Sequence, residues 1–198
     1  MTTSMAARAP GWRVVDIVVA SVLAVAFGVV FLAWNGAWEL LRPAFVGFPP
    51  LQGFMYGVWL IPAVLVPLVL RRPGAALLGE VVAASVSALL GAQWGLATIL
   101  YGLMQGLAAE IIFAFGLYRA WNLPIAVLAG AAAGAAAVLL DLVLFYPDWQ
   151  VGYQVVYAAL VIPSSALVAG LGSWLLVRAL ARTGVLAQFE AGREQPEV

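Results

Sequence analysis

Six nearly unbroken apolar stretches run along the chain, separated by short breaks marked by proline, glycine and arginine. At 1.5 Å per residue, each crosses most or all of a hydrocarbon core of roughly 30 Å as a helix. The predicted spans are about 14–34, 53–70, 75–90, 95–117, 124–144 and 153–181, followed by a polar tail, 182–198, expected to be frayed. The pattern predicts an all-α integral membrane protein, a compact bundle of six transmembrane helices in a single domain.

Arg71-Arg72-Pro73-Gly74 makes a charged turn between the second and third spans, and Gly91 to Trp94 a tight connection before the fourth. The longest connection, Asn35 to Gln52, contains Pro43, Pro49 and Pro50, which prevent a continuous helix. Its aromatic content suits either a lid over a binding site or an interfacial belt. Ala20, Ala24 and Gly28 recur every fourth residue and put small side chains on one face of the first span. That face suits close packing inside the chain or docking of another membrane subunit. The sixth span exceeds what a bilayer needs, and Pro163 with Ser164 and Ser165 is placed to kink it.

Composition narrows the chemistry. Hydrophobic residues make up 65% and charged residues 9%, against roughly 25% charged in a soluble domain. There is no cysteine and no histidine. Thiol nucleophiles, disulfides, Cys/His zinc sites and Ser-His pairs are thereby excluded. Net charge is zero, which gives no indication of a nucleic-acid partner. The first dozen residues lead into a span of full length, so no cleavable signal peptide is expected. With the N-terminus inside, Arg8, Arg13, Arg71, Arg72, Arg119, Arg178, Arg182 and Arg193 face the cytoplasm and only Arg42 faces out. The positive-inside rule therefore predicts cytoplasmic N- and C-termini.

Within the spans lie Glu80, Gln105, Glu110 and Asp141. A carboxylate inside a bilayer costs at least a few kcal/mol unless something compensates it, which makes each a candidate functional group. Counting along the helices puts Glu80 and Glu110 at similar levels in the inner half and Asp141 near the outer surface. On the fourth span Trp94, Thr98, Tyr101 and Gln105 follow spacings of four, three and four and share one face; Glu110 follows Gly102 and Gly106 on a neighbouring face. Aromatics beside carboxylates and an amide suit a small, planar, nitrogen-rich ligand. Interhelical hydrogen bonding is the competing account of these polar groups. Trp38, Tyr146 and Trp149 fit an interfacial belt better.

The run Arg71 to Glu80 (RRPGAALLGE), Leu89 to Gly95 (LLGAQWG), Gln105 to Ala114 (QGLAAEIIFA) and Ala181 to Leu186 (ARTGVL) resembles the YkoE family. Its members are membrane-embedded substrate-binding (S) components of energy-coupling factor type ABC importers for thiamine or its hydroxymethylpyrimidine precursor. The resemblance implies a six-helix S component with a pocket open to the outside beneath the loop that follows the first helix. It also implies a transmembrane coupling subunit, docked on Ala20 and Ala24, and two cytoplasmic ATPase subunits. The residues matching the family's polar positions are Tyr56, Trp59, Glu80, Gln105, Glu110 and Asp141. One departure is Ile162 to Ala166 (IPSSA), where the family pattern has a Ser-Gly pair.

The chain contains no GxxxxGK[ST] phosphate loop, so ATP would be used by partner subunits, and no metal or other cofactor is expected in it. The expected function is vitamin binding rather than catalysis. The carboxylates and Gln105 would hold an aminopyrimidine edge, Trp34, Trp59, Trp94 and Tyr101 would sandwich a ring, and the loop Asn35 to Gln52 would close over it. The alternatives are a stand-alone proton- or cation-coupled carrier and a metal-dependent intramembrane enzyme; the separation in depth of Asp141 from Glu80 and Glu110 disfavours the latter.

Overall fold

The structure, a computed structural model, describes residues 11–193; Arg8 and the last five residues of the expected tail lie outside them. It is all-helical among the described residues. Five helical stretches among the described residues are long and apolar enough to cross a membrane, and Ala75–Leu89 is a shorter apolar helix beside them.

Helix α1 (Val14–Leu41) begins where Asp16 accepts the Arg13 backbone N–H at 3.0 Å, a capping-box arrangement. It runs seven residues beyond the expected end at Trp34 and continues into a 3₁₀ turn, Arg42–Phe45. A second 3₁₀ segment, Pro49–Leu60, leads directly into α2 (Ile61–Leu70). The connection Asn35 to Gln52 is therefore almost entirely helical rather than a loop, and the expected lid is reduced to residues 46–48. The Asn35-Gly36 pair reads locally as a turn, but buried Asn35 has partners on two other segments that hold it in helix.

Arg71, at φ 54°, and Gly74, at φ 84°, turn the chain into α3 (Ala75–Leu89). Then follow α4 (Ala97–Phe115), α5 (Leu123–Leu144), which starts on an Asn122 cap, and α6 (Val151–Ser165). Beyond Pro163 the last long helix passes through a π-helical segment, Ala166–Gly172, before α7 (Ser173–Arg182). The irregularity expected at Pro163 thus takes the form of a π segment, a common answer to an interrupted hydrogen-bond ladder.

Small residues set the helix spacing. Ala20 and Ala24 are completely buried, and a Cβ on Gly28 would lie 2.5 Å from Val86 of α3. The face expected to receive a coupling subunit is therefore consumed inside the chain, because α3 needs close approach at this point. The exposed side of α1 is instead the ridge Val18, Val22, Val25 and Val29. Gly102 and Gly106 of α4 meet α3 in the same way, with Cβ positions 2.5 Å from Ala84 and 3.0 Å from Glu80.

The tail also differs from expectation. After Gly184 the chain folds back, burying Leu186 and Phe189, and forms a short helix, α8 (Glu190–Arg193), packed on α2. Removing two such side chains from water is worth about 1.5–3 kcal/mol each. Arg72, nearly inaccessible, links the parts at this end: its Nε donates to Asp16 at 2.9 Å and its guanidinium reaches Glu190 at 3.2 Å.

Candidate functional site

A cavity lies at the other end of the bundle. Along α1, Asn35 stands 19 residues from Asp16, about 28 Å at 1.5 Å per residue. Its empty volume, counting the open mouth, is about 720 Å³. Its walls come from α1, the 3₁₀ segment Pro49–Leu60, α3, α4, α5, α6 and the turn after α5.

One wall is aromatic. A 3₁₀ helix repeats every three residues, so Tyr56 and Trp59 project from one side of their segment, and both line the cavity. Gly53 and Gly57 let α6 come up behind them; a Cβ on Gly57 would stand 2.6 Å from the Ser164 carbonyl oxygen. Trp59 meets Trp94 edge-on at 5.6 Å between centroids, and Trp94 meets Trp38 at 5.5 Å. Asn35 fixes this wall: its side-chain oxygen accepts from the Trp59 indole N–H at 2.8 Å, and its amide donates to Ser87 at 3.3 Å. Trp34, expected in the sandwich, is one residue round the helix from Asn35 and does not line the cavity. It backs Trp59 from outside, donating to the Met55 carbonyl at 3.0 Å.

The polar groups fall into three environments. Glu80, on α3, is 1% exposed and lines the cavity. Its Oε2 accepts the Ala63 backbone N–H at 2.9 Å. Ala63 lies where the 3₁₀ segment passes into α2, and the Glu80 side chain gives its N–H an acceptor from a neighbouring helix. Glu80 thus faces both this junction and the empty space. Gln105, 4% exposed, shares the cavity and makes no hydrogen bond to another described residue.

Asp141, on α5, lines the same cavity. Tyr101 donates to its Oδ1 at 2.5 Å and Tyr157 to its Oδ2 at 2.6 Å. All three residues line the cavity. Glu80 and Asp141, expected at different depths, therefore border one space: the counting along separate helices ignored the short α3 and the shifts between helices. In the turn beyond α5, Tyr146 stacks on Trp149 at 4.0 Å and accepts from Gln52 at 2.9 Å. Burial, with the charge of Asp141 second, pushes the Tyr146 phenol up to about 12, so it stays protonated at neutral pH.

Glu110 does not line the cavity. Its carboxylate accepts from the backbone N–H of Gly74 at 2.6 Å, Ala76 at 2.9 Å and Leu77 at 3.4 Å, the first turn of α3. The expectation that it contacts ligand, or shares a level and a proton with Glu80, is corrected by this geometry. It is a helix cap supplied from a neighbouring helix, where carboxylate and α3 dipole favour each other.

Of the nine expected ligand residues, Tyr56, Trp59, Glu80, Trp94, Tyr101, Gln105 and Asp141 converge on the cavity, and Trp34 and Glu110 do not. Asn35, Trp38, Gln52 and Tyr157 line it without having been singled out for it. For Asn35 a signal existed: it extends the stripe Ala20, Ala24, Gly28, Phe31 by another helical step. Trp38 and Tyr146, assigned to an interfacial belt, line the cavity.

The comparisons with known proteins come from three directions. A family model described as the permease component of ABC-type cobalt transport systems matches residues 15–136. The putative HMP/thiamine permease protein YkoE of Bacillus subtilis (strain 168) is 36% identical over 186 residues, which is 92% of each chain. The crystal structure of an S-component of an ECF transporter matches with a TM-score of 0.88 at 36% identity, covering 93% of both chains. Sequence and fold agree: the chain is a multi-pass membrane protein belonging to the YkoE family of energy-coupling factor S components.

Proposed function

We propose that this chain captures thiamine or its hydroxymethylpyrimidine precursor from outside the cell and delivers it in assembly with a transmembrane coupling subunit and two ATPase subunits. The observation that carries the proposal is the pairing, in one cavity, of Glu80 and the unengaged Gln105 amide with a wall of Trp38, Trp59 and Trp94. An aminopyrimidine presents an amino group as donor and ring nitrogens as acceptors. A carboxylate and an amide supply the matching acceptor and donor, and indole faces or edges suit a flat ring. Asp141, held by Tyr101 and Tyr157, adds negative charge to the cavity lining, where a cationic ring would be favoured. The B. subtilis relative's name points to the same ligands.

The arginine distribution supports an orientation with both termini cytoplasmic and the cavity facing out. The coupling subunit would then meet a face other than Ala20 and Ala24, which are sealed in the bundle.

Titration of the purified chain with thiamine or hydroxymethylpyrimidine is expected to quench tryptophan fluorescence, since three indoles line the cavity. Gln105→Ala removes one neutral hydrogen-bonding group and is expected to weaken binding about tenfold, the effect of roughly 1–1.5 kcal/mol. Wild-type protein that responds calorimetrically to neither compound would end the proposal.

A further inference from the structure

Helix α7 carries the last span to the end of the bundle opposite the cavity, and its faces differ. Ser173, Val177 and Ala181 are buried, whereas Leu175 and Leu176 are exposed apolar surface. Beside the buried face, Trp174, Arg178 and Arg182 repeat every fourth residue and make one ridge. The Arg178 guanidinium stands 4.5 Å from the centre of the Trp174 ring, a cation-π contact that orients it, and both arginines are exposed. Other cations at this end are answered within the chain: Arg13 and Arg72 by Asp16, Arg72 also by Glu190, and Arg193 by the Gln188 carbonyl. Helix α7 contains no acidic residue, and neither Arg178 nor Arg182 has a carboxylate partner among the described residues.

Depth says what answers them. Along the helix axis Arg178 lies about 6 Å and Arg182 about 12 Å beyond Trp174. Tryptophan settles at the boundary of the hydrocarbon, and the headgroup layer beyond it is about 5–8 Å thick. An indole at that boundary therefore puts Arg178 among the lipid phosphates and Arg182 at their outer edge, while Leu175 and Leu176 meet the chains. We propose that Trp174, Arg178 and Arg182 form a binding site for the phosphate group of an anionic phospholipid. A guanidinium offers phosphate two parallel N–H donors, and one already stacked on an indole loses less freedom in doing so. With the termini cytoplasmic, the site faces the leaflet whose negative surface attracts juxtamembrane arginines.

The test uses the full-length chain, delipidated in detergent and titrated with phosphatidylglycerol or phosphatidylcholine, with retained lipid counted by native mass spectrometry. Wild type is expected to hold phosphatidylglycerol about tenfold more tightly. Arg178→Gln combined with Arg182→Gln is expected to bring the two lipids within twofold without lowering the melting temperature in phosphatidylcholine, and Arg42→Gln, at the other end of α1, to leave the preference intact. Should the double variant express poorly, each single variant is expected to lose about threefold. A wild type that holds both lipids equally overturns the site and leaves the ridge a general interfacial anchor. So does a preference that survives in every variant that folds. Equal lipid retention by wild type, together with loss of co-purifying coupling and ATPase subunits in the double variant, would assign the ridge to a protein partner instead.

Discussion

Glu110→Ala is expected to lower the stability of the chain by about 3 kcal/mol or more while leaving the affinity of the folded protein within threefold. Its carboxylate serves three backbone N–H groups at the start of α3, and Ala76 is fully buried. Each buried donor left without an acceptor costs about 1–3 kcal/mol, and the favourable interaction with the helix dipole goes as well. Glu110→Gln keeps a neutral acceptor and is expected to fall between. Thermal unfolding in detergent and ligand titration, run on the same preparations, separate the two quantities. A variant with unchanged melting temperature and lost binding would return Glu110 to the ligand site.

Asp141→Ala is expected to lower stability as well, and in addition to weaken binding. Its two oxygens hold Tyr101 and Tyr157, both of which line the cavity. Without them two buried phenols lose their acceptor, the rings are free to turn into the space, and the negative charge that would favour a cationic ligand disappears. A loss of about 3 kcal/mol in binding, roughly a hundredfold in Kd, is expected for thiamine. Asp141→Asn retains one acceptor oxygen but not the charge. For it the loss should be greater for cationic thiamine than for the uncharged pyrimidine precursor. Equal losses for both compounds would show that the carboxylate acts only by orienting the tyrosines.

The two carboxylates of the central helices illustrate how far a sequence reaches. Glu80 and Glu110 look equivalent along the chain: each is a lone acid in an apolar helix that demands compensation. Both receive backbone N–H groups of another helical stretch, at the 3₁₀–α2 junction for Glu80 and at the start of α3 for Glu110. The cavity beside Glu80 alone distinguishes them, and it exists because several segments stand apart there while Gly102 and Gly106 bring α3 and α4 together nearby. Similarly, the Ala20, Ala24 and Gly28 stripe announces a close helix contact but not the identity of the neighbour, which is α3.

Membrane residence, the approximate spans, the shared face of Trp94, Thr98, Tyr101 and Gln105, and the family all follow from the chain read by itself. These depend on local composition, helical periodicity and ordered motifs, which a linear string carries in full. The helical course of Asn35 to Leu41, the folded tail, and the division of acids into cap and cavity wall depend on tertiary structure. There the deciding partner lies tens of residues away, as with Asn35 and Ser87 or Glu110 and Gly74. A buried polar group goes wherever the three-dimensional packing offers it a hydrogen bond, and no periodicity records that choice.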